Sequence, residues 1–186
     1  RQLDGHAGRS MLFEEKLIYY PVRFPYGNWG RQREEPADLE LYPVIDDCWI
    51  DTDDGVILHG WYARPKRRGS DPGVMIPTDG VLLWFHGNAG NLSHRYDQLL
   101  LFLSIYLEVF IIDYRGYGRS TGTPSEAGLY RDADAVWNWL TQKKEIDPRR
   151  IVLLGKSLGG AVAVDLATRV QPAGLILHSC FTSIPD

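Results

Sequence analysis

A chain of 186 residues and 21.1 kDa is long enough for one domain or slightly more. At 44% hydrophobic and 24% charged, with mean hydropathy −0.24, it is neither a disordered tail nor a membrane bundle. Twenty Lys and Arg against 24 Asp and Glu leave a net charge of −4, which offers no basic footprint for nucleic acid and no polybasic patch for anionic lipid.

Aromatic residues make up 12% of the chain, enough bulk for a real core. The two cysteines, Cys48 and Cys180, stand far apart and match no metal spacing, so a disulfide framework is excluded and a reducing compartment is favoured. The longest apolar stretch, Leu99 to Ile112, is broken by Ser104 and Glu108 and falls short of a membrane span. The chain opens at Arg1 rather than at a methionine and stops at Asp186 just after a strand-like run. It reads as a portion of a longer protein. A signal or membrane anchor upstream of Arg1 would therefore go unseen, and location stays open between the cytoplasm and an anchored state.

Residues 1–42 are aromatic, proline-containing and without a period; they carry Tyr19-Tyr20-Pro21, Phe24-Pro25-Tyr26 and the charged cluster Arg31 to Glu35 before Pro36. Such a segment is expected to pack as an extension on the outside of a core formed by 43–186. Val44 to Thr52 reads as a strand, Asp53-Asp54-Gly55 as a hairpin turn and Val56 to Ala63 as the returning strand. Residues 64–79, with Pro65, Gly69, Pro72, Gly73 and Pro77, read as a loop. Val81 to Phe85 is a continuous apolar run, as a strand covered on both faces requires.

Tyr96, Leu99, Leu100, Leu103 and Leu107 then fall on one helical face, with Ser93 placed to cap. Val109 to Asp113 is another buried strand. Ser125 caps a second helix with the stripe Leu129, Ala133, Val136, Trp137 and Leu140. Asp147-Pro148 turns the chain into the strand Ile151 to Leu154; a small-residue helix runs from about Leu158 to Arg169, and Gly174 to Leu177 is the last strand. A hairpin followed by alternating strands and amphipathic helices specifies an α/β fold, a mostly parallel sheet with helices on both faces. Ligands of such sheets bind at the carboxyl ends of the strands, which directs attention to loops 86–93, 114–123, 155–160 and 178–186.

Gly155-Lys156-Ser157-Leu158-Gly159 is G-x-S-x-G between a strand and a helix. A nucleophile on so sharp a turn is lifted clear of the sheet on a strained backbone, and the neighbours two residues away must lack bulk. The first N–H groups of the helix would face developing negative charge. Gly155-Lys156-Ser157 also spells the end of a phosphate-binding loop, but that motif needs a glycine where Arg150 stands and a loop where Ile-Val-Leu-Leu reads as strand. The phosphate-loop reading fails.

His86-Gly87-Asn88-Ala89-Gly90-Asn91 follows the strand Val81 to Phe85. A loop there can turn a backbone N–H toward the serine, Asn88 being the first choice and Ala89 the second, with the N–H of Leu158 as the other half of an oxyanion hole. His86 precedes the nucleophile at a strand end and reads as a support that holds the loop by hydrogen bonds, not as a base. Asn91-Leu92-Ser93 spells a glycosylation sequon, taken as coincidence inside such a loop. Tyr114 to Ser120 misses the dinucleotide fingerprint by one residue and reads as a tight wall whose glycines serve its turns.

Together the HGNAGN loop, the DYRGYGRS loop, the GKSLGG elbow and the run Cys180 to Asp186 resemble the α/β-hydrolase superfamily. More narrowly they resemble its small, often membrane-associated esterase/lipase-like or serine-aminopeptidase-like members, including the Leu12-Phe13-Glu14 to Tyr20-Pro21 segment that follows an N-terminal anchor there. The resemblance implies Ser157 as nucleophile, Asn88 and Leu158 as the oxyanion hole, and Gly155, Gly159 and Gly87 as the glycines of elbow and loop. It also implies a serine hydrolase acting on an acyl ester or lipid-like small molecule, without metal or cofactor. A monomer when complete is expected, with membrane attachment only through a segment upstream of Arg1.

The family triad runs Ser, Asp, His, the last two on loops after later strands. Here His6, His59, His86 and His94 precede the serine, and His178 lies at the end of the very next strand, where the family has no base. About six strands are visible against roughly eight in the family core. The C-terminal strands, the acid and the base are therefore expected beyond Asp186, with Asp186 itself a weak candidate for the acid. Ester, thioester and amide cleavage stay open, as does a non-catalytic binding protein on the same fold.

Overall fold

Two apolar runs form the centre of the sheet, and their alternation decides what lies on each face. In the computed structural model, which describes residues 18–33, 40–71 and 74–180, β4 (Gly80–Phe85) and β6 (Leu107–Asp113) pair in parallel. Val81, Leu83 and Phe85 point to one core cluster with Phe110 and Ile112, whereas Leu82 and Trp84 point to a second with Val109 and Ile111. Successive side chains of a strand face opposite ways, so a run apolar throughout needs cover on both sides. Helix α1 (Tyr96–Ser104) covers the second face through Tyr96, Leu99 and Leu103. The first is covered by α2 (Glu126–Asn138), through Leu129, Ala133 and Val136, and by α3 (Leu158–Ala167), through Val162, Ala163 and Leu166.

The six-stranded sheet has the order β2-β3-β6-β4-β7-β8, where β2 is Leu41–Asp51, β3 Ile57–Arg67, β7 Ile151–Lys156 and β8 Gly174–His178. The β2–β3 hairpin and its junction with β6 are antiparallel; the pairs from β6 to β8 are parallel. The α/β architecture expected from the alternation is the one observed. Leu99 to Ile112 is shared between α1 and β6, and among the described residues no helix is long and apolar enough to cross a membrane.

Three local expectations are corrected. The hairpin is longer than its apolar alternation, with Leu41 opposite Arg67 and Pro43 opposite Pro65. Pro43 is tolerated because β2 is an edge strand, and Pro65 because β6 pairs β3 only from His59 to Ala63. Ser93 does not cap α1. A 3₁₀ turn, Leu92–Arg95, precedes the helix, and Asn91 caps it by accepting from the Ser93 N–H at 3.1 Å while His94 accepts the Asn91 N–H. Leu107 is not on the helical face, since Tyr106 at φ 62° ends the helical run and Leu107 opens β6. Elsewhere Ser125 caps α2 by accepting from the Gly128 N–H, and a π turn, Trp139–Lys143, extends α2 with Leu140 still buried.

Residues 20–24 lie across the carboxyl ends of the sheet. Short β1 (Tyr20–Pro21) pairs in parallel with β5 (Ala89–Gly90), and Arg23 bridges to Gly118. The segment thus joins the loop after β4 to the loop after β6. Trp29 follows it into the core against Trp61, its rings 5.9 Å apart. The Leu12-Phe13-Glu14 segment, Glu35 and Pro36, Pro72 and Gly73, and the run Phe181 to Asp186 lie outside the described residues.

Candidate active site

Ser157 stands between β7 and α3 at φ 52°, ψ −119°, a conformation that costs a non-glycine residue about 1–3 kcal/mol. Its hydroxyl makes no capping bond to the helix that it opens. Its N–H donates to the His178 carbonyl at 3.0 Å, continuing the β7–β8 ladder by one step. The turn closes only because its flanks lack side chains. A Cβ at Gly159 would lie 2.0 Å from the Phe85 carbonyl oxygen, and one at Gly155 would lie 2.6 Å from the Gly159 oxygen. Gly155 is paired with Phe85 across β7 and β4, so the elbow and the loop after β4 start side by side. A Cβ on Gly87 would stand 3.6 Å from the Ser157 Cβ. Lys156 ends β7, a strand through the positions where a phosphate loop would have to run.

The loop after β4 is tied down on every side. His86 is fully buried, and its Nδ1 donates to the Gly87 carbonyl at 2.7 Å. Burial pushes its pKa down to about 4, so the ring is neutral at pH 7, and Nε2 faces Asp113 Oδ1 at 3.8 Å. The Asn88 carbonyl accepts from the Tyr117 hydroxyl at 2.7 Å and from the Tyr20 N–H at 3.1 Å. The Tyr114 hydroxyl donates to the His86 carbonyl at 2.8 Å. Asn91 is fully buried, and its amide donates to the carbonyls of Val22 and Tyr26, so the sequon offers no free acceptor nitrogen.

Sequence reasoning missed three contributors here. Tyr114 and Tyr117 read as parts of a glycine-bearing wall, but their hydroxyls reach across to the carbonyls of the neighbouring loop. Asp113 accepts from the Leu92 N–H at 2.8 Å and stands 3.7 Å from buried His59, which in turn meets Asp47 at 2.7 Å. A buried aspartate at a strand end, with histidines at the ends of neighbouring strands, was the signal available. The 114–122 loop is anchored below by Arg115, held between Asp132 and Asp54. Among the described residues no group of three or more His, Cys, Asp or Glu is placed to hold a metal ion.

Residues 76–186, more than half of the chain, match the family described as serine aminopeptidase, S33. The chain belongs to that family of α/β-hydrolases. An alpha/beta hydrolase domain-containing protein of Arabidopsis thaliana, WAV2, is 40% identical over 188 residues, covering 97% of this chain and 56% of its own length. An uncharacterised protein of Mycobacterium tuberculosis is 38% identical over 173 residues, covering 93% and 56%. This chain therefore spans a little over half the length of these two curated relatives.

Among solved structures, an α/β-hydrolase from Vibrio vulnificus aligns with TM-score 0.70 at 23% identity, over 98% of this chain and 61% of that one, a likeness of fold. An esterase from Pyrococcus furiosus aligns with TM-score 0.59 at 26% identity, over 83% and 56%.

Proposed function

We propose that this hydrolase is a serine esterase that works through a seryl acyl-enzyme, with Ser157 as nucleophile. The observation that carries the reading is the strained Ser157 turn: its hydroxyl is not spent on the helix, and Gly87 lies against it. Strain at a polar residue on a strand end is retained where it presents that residue for chemistry. A base takes the hydroxyl proton as the oxygen attacks the acyl carbon, and the tetrahedral oxyanion is held by the N–H groups of Leu158 and Asn88, with Ala89 as the alternative to Asn88. Collapse expels the alcohol, which takes the proton from the base, and water then releases the acid by the same steps in turn.

His86 does not supply the base in this reading, because its ring is buried and its Nδ1 proton is engaged by Gly87. The base and its acid partner are assigned to sequence past the described residues, in keeping with the length of the relatives. Ester rather than amide cleavage is favoured by the likeness to the Pyrococcus furiosus esterase. The family description, serine aminopeptidase, supports amide cleavage as a second reading.

The test is Ser157→Ala in the full-length protein. Fluorophosphonate labelling and p-nitrophenyl ester turnover are both expected to vanish, leaving at most the residual catalysis of the hole, about 10³–10⁴-fold over water. Persistent labelling overturns the assignment. Faster cleavage of aminoacyl p-nitroanilides than of esters, also lost on Ser157→Ala, selects the amide reading.

A further inference from the structure

The loop that faces Ser157 is not aimed by its own strand. In a trans peptide the C=O and N–H point in opposite directions, so fixing one carbonyl aims the N–H of the following residue. A carbonyl can only accept, so the contact from His86 Nδ1 to the Gly87 oxygen places a proton on Nδ1 and aims the Asn88 N–H. The next peptide is fixed from outside the loop. The Asn88 oxygen takes the Tyr117 hydroxyl at 2.7 Å and the Tyr20 N–H at 3.1 Å, which aims the Ala89 N–H. Asn88 Nδ2 donates to the Ile18 carbonyl at 2.9 Å, so the side chain is held by the same N-terminal segment. Two residues further on, the Val22 N–H donates to the Gly90 carbonyl at 3.0 Å, and on the opposite edge the Gly118 N–H donates to the Val22 carbonyl at 3.0 Å.

We propose that residues 18–22 and Tyr117 form a positioning clamp for the oxyanion loop, so that a segment outside the sheet sets how well the transition state is held. The inference rests on the reading of Asn88 or Ala89 as oxyanion donor. Cover alone would explain an extension that packs by side chains. It does not explain why two of the contacts converge on the carbonyl of one loop residue, or why they come from backbone and hydroxyl groups while Tyr20 as a whole stays 53% exposed. Donors that have moved off the oxyanion lose transition-state stabilisation without weakening ground-state binding, which lowers kcat and leaves KM in place.

The experiment compares Tyr20→Pro, Tyr20→Ala and Tyr117→Phe with wild type in the full-length protein, each normalised to active sites by burst titration, and Ser157→Ala normalised to protein concentration. Tyr20→Pro removes the N–H from an extended strand, whereas Tyr20→Ala keeps it; Tyr117→Phe removes only the hydroxyl. Losing an oxyanion donor outright costs about 10²–10³ in kcat, so a misaimed one is expected to cost about tenfold to a hundredfold. Tyr20→Pro should fall by that factor below Tyr20→Ala, and Tyr117→Phe by a similar factor below wild type. KM should stay within about threefold, and affinity for a trifluoromethyl ketone should fall in parallel with kcat.

Equal kcat per titrated site in Tyr20→Pro and Tyr20→Ala, or a rise in KM in place of a fall in kcat, overturns the clamp. Should Tyr20→Pro not fold, the isosteric Tyr117→Phe decides alone: wild-type kcat in it overturns the clamp. Turnover near the wild-type rate in Ser157→Ala instead removes the reading on which the clamp rests.

Discussion

Replacing Gly159 by alanine tests whether the elbow is built on a backbone contact. The new Cβ would lie 2.0 Å from the Phe85 carbonyl oxygen, 2.5 Å from its carbon and 2.7 Å from the His86 oxygen. Real contacts begin near 3.0 Å, so α3 and β4 would have to part by roughly 1 Å, and neither partner is a side chain that can swing away. Overpacking of this kind costs about 1–3 kcal/mol and occasionally more; a contact between backbones belongs near the top of that range. Alanine returns about 1 kcal/mol through its helix propensity, leaving a net loss of about 2 kcal/mol.

For a domain of this size such a loss lowers Tm by about 4–8 °C. Thermal denaturation followed by circular dichroism reads it directly, with Gly30→Ala as a control because a Cβ there meets nothing within 4 Å. On the proposed reading of Leu158 as an oxyanion donor the shift would also misplace its N–H, so turnover per folded molecule should drop as well. A Gly159→Ala protein that melts within about 2 °C of wild type refutes the argument, because the predicted loss exceeds that shift.

Two further outcomes are expected. His86 is held near pKa 4 by burial, below its ordinary 6.5, so its contribution to stability is complete above pH 6.5 and is lost as pH falls through 4. That is about 3 kcal/mol, which urea midpoints at pH 7 and pH 4 should show in wild type and not in His86→Gln; parallel losses in both sink the idea. Asp132 is fully buried and accepts from both the backbone N–H and Nε of Arg115 at 2.8 Å. Asp132→Ala should destabilise by about 3–5 kcal/mol, since it strands a buried guanidinium nitrogen and an amide; a chemical-denaturation loss under about 1 kcal/mol would contradict that role.

What could be seen in the sequence was whatever a short window contains. The apolar run Val81 to Phe85, the Asp53-Asp54-Gly55 turn and the Gly155 to Gly159 pentapeptide each announce a local geometry, and each is found where it was expected. The hairpin's true length was hidden because whether a proline is tolerated depends on which strand lies beside it; Pro43 and Pro65 are both at positions with a free side. Capping by Asn91 instead of Ser93 was hidden because a 3₁₀ turn moves the cap by two residues. The holders of the candidate oxyanion loop were hidden for a different reason. Tyr20 and Tyr117 stand 68 residues before Asn88 and 29 after it, and no periodicity reports a hydrogen bond across such distances.

The crossing of residues 18–24 over two sheet-end loops also constrains the order in which the molecule can assemble. Asn88 and Ile18 are 70 residues apart, and closing a loop of that length costs about 4 kcal/mol of chain entropy. A net hydrogen bond returns about 1 kcal/mol, so no single contact between the two segments can hold them together. Docking must therefore wait until β3, β6 and β4 present both loops at once, with the Trp29 side chain entering beside Trp61 in the same step. During synthesis the first of the described residues to leave the ribosome are thus among the last to find their places. The reverse path follows the same logic: amide exchange at Tyr20, Val22 and Phe24 should occur through one concerted release that leaves the sheet intact.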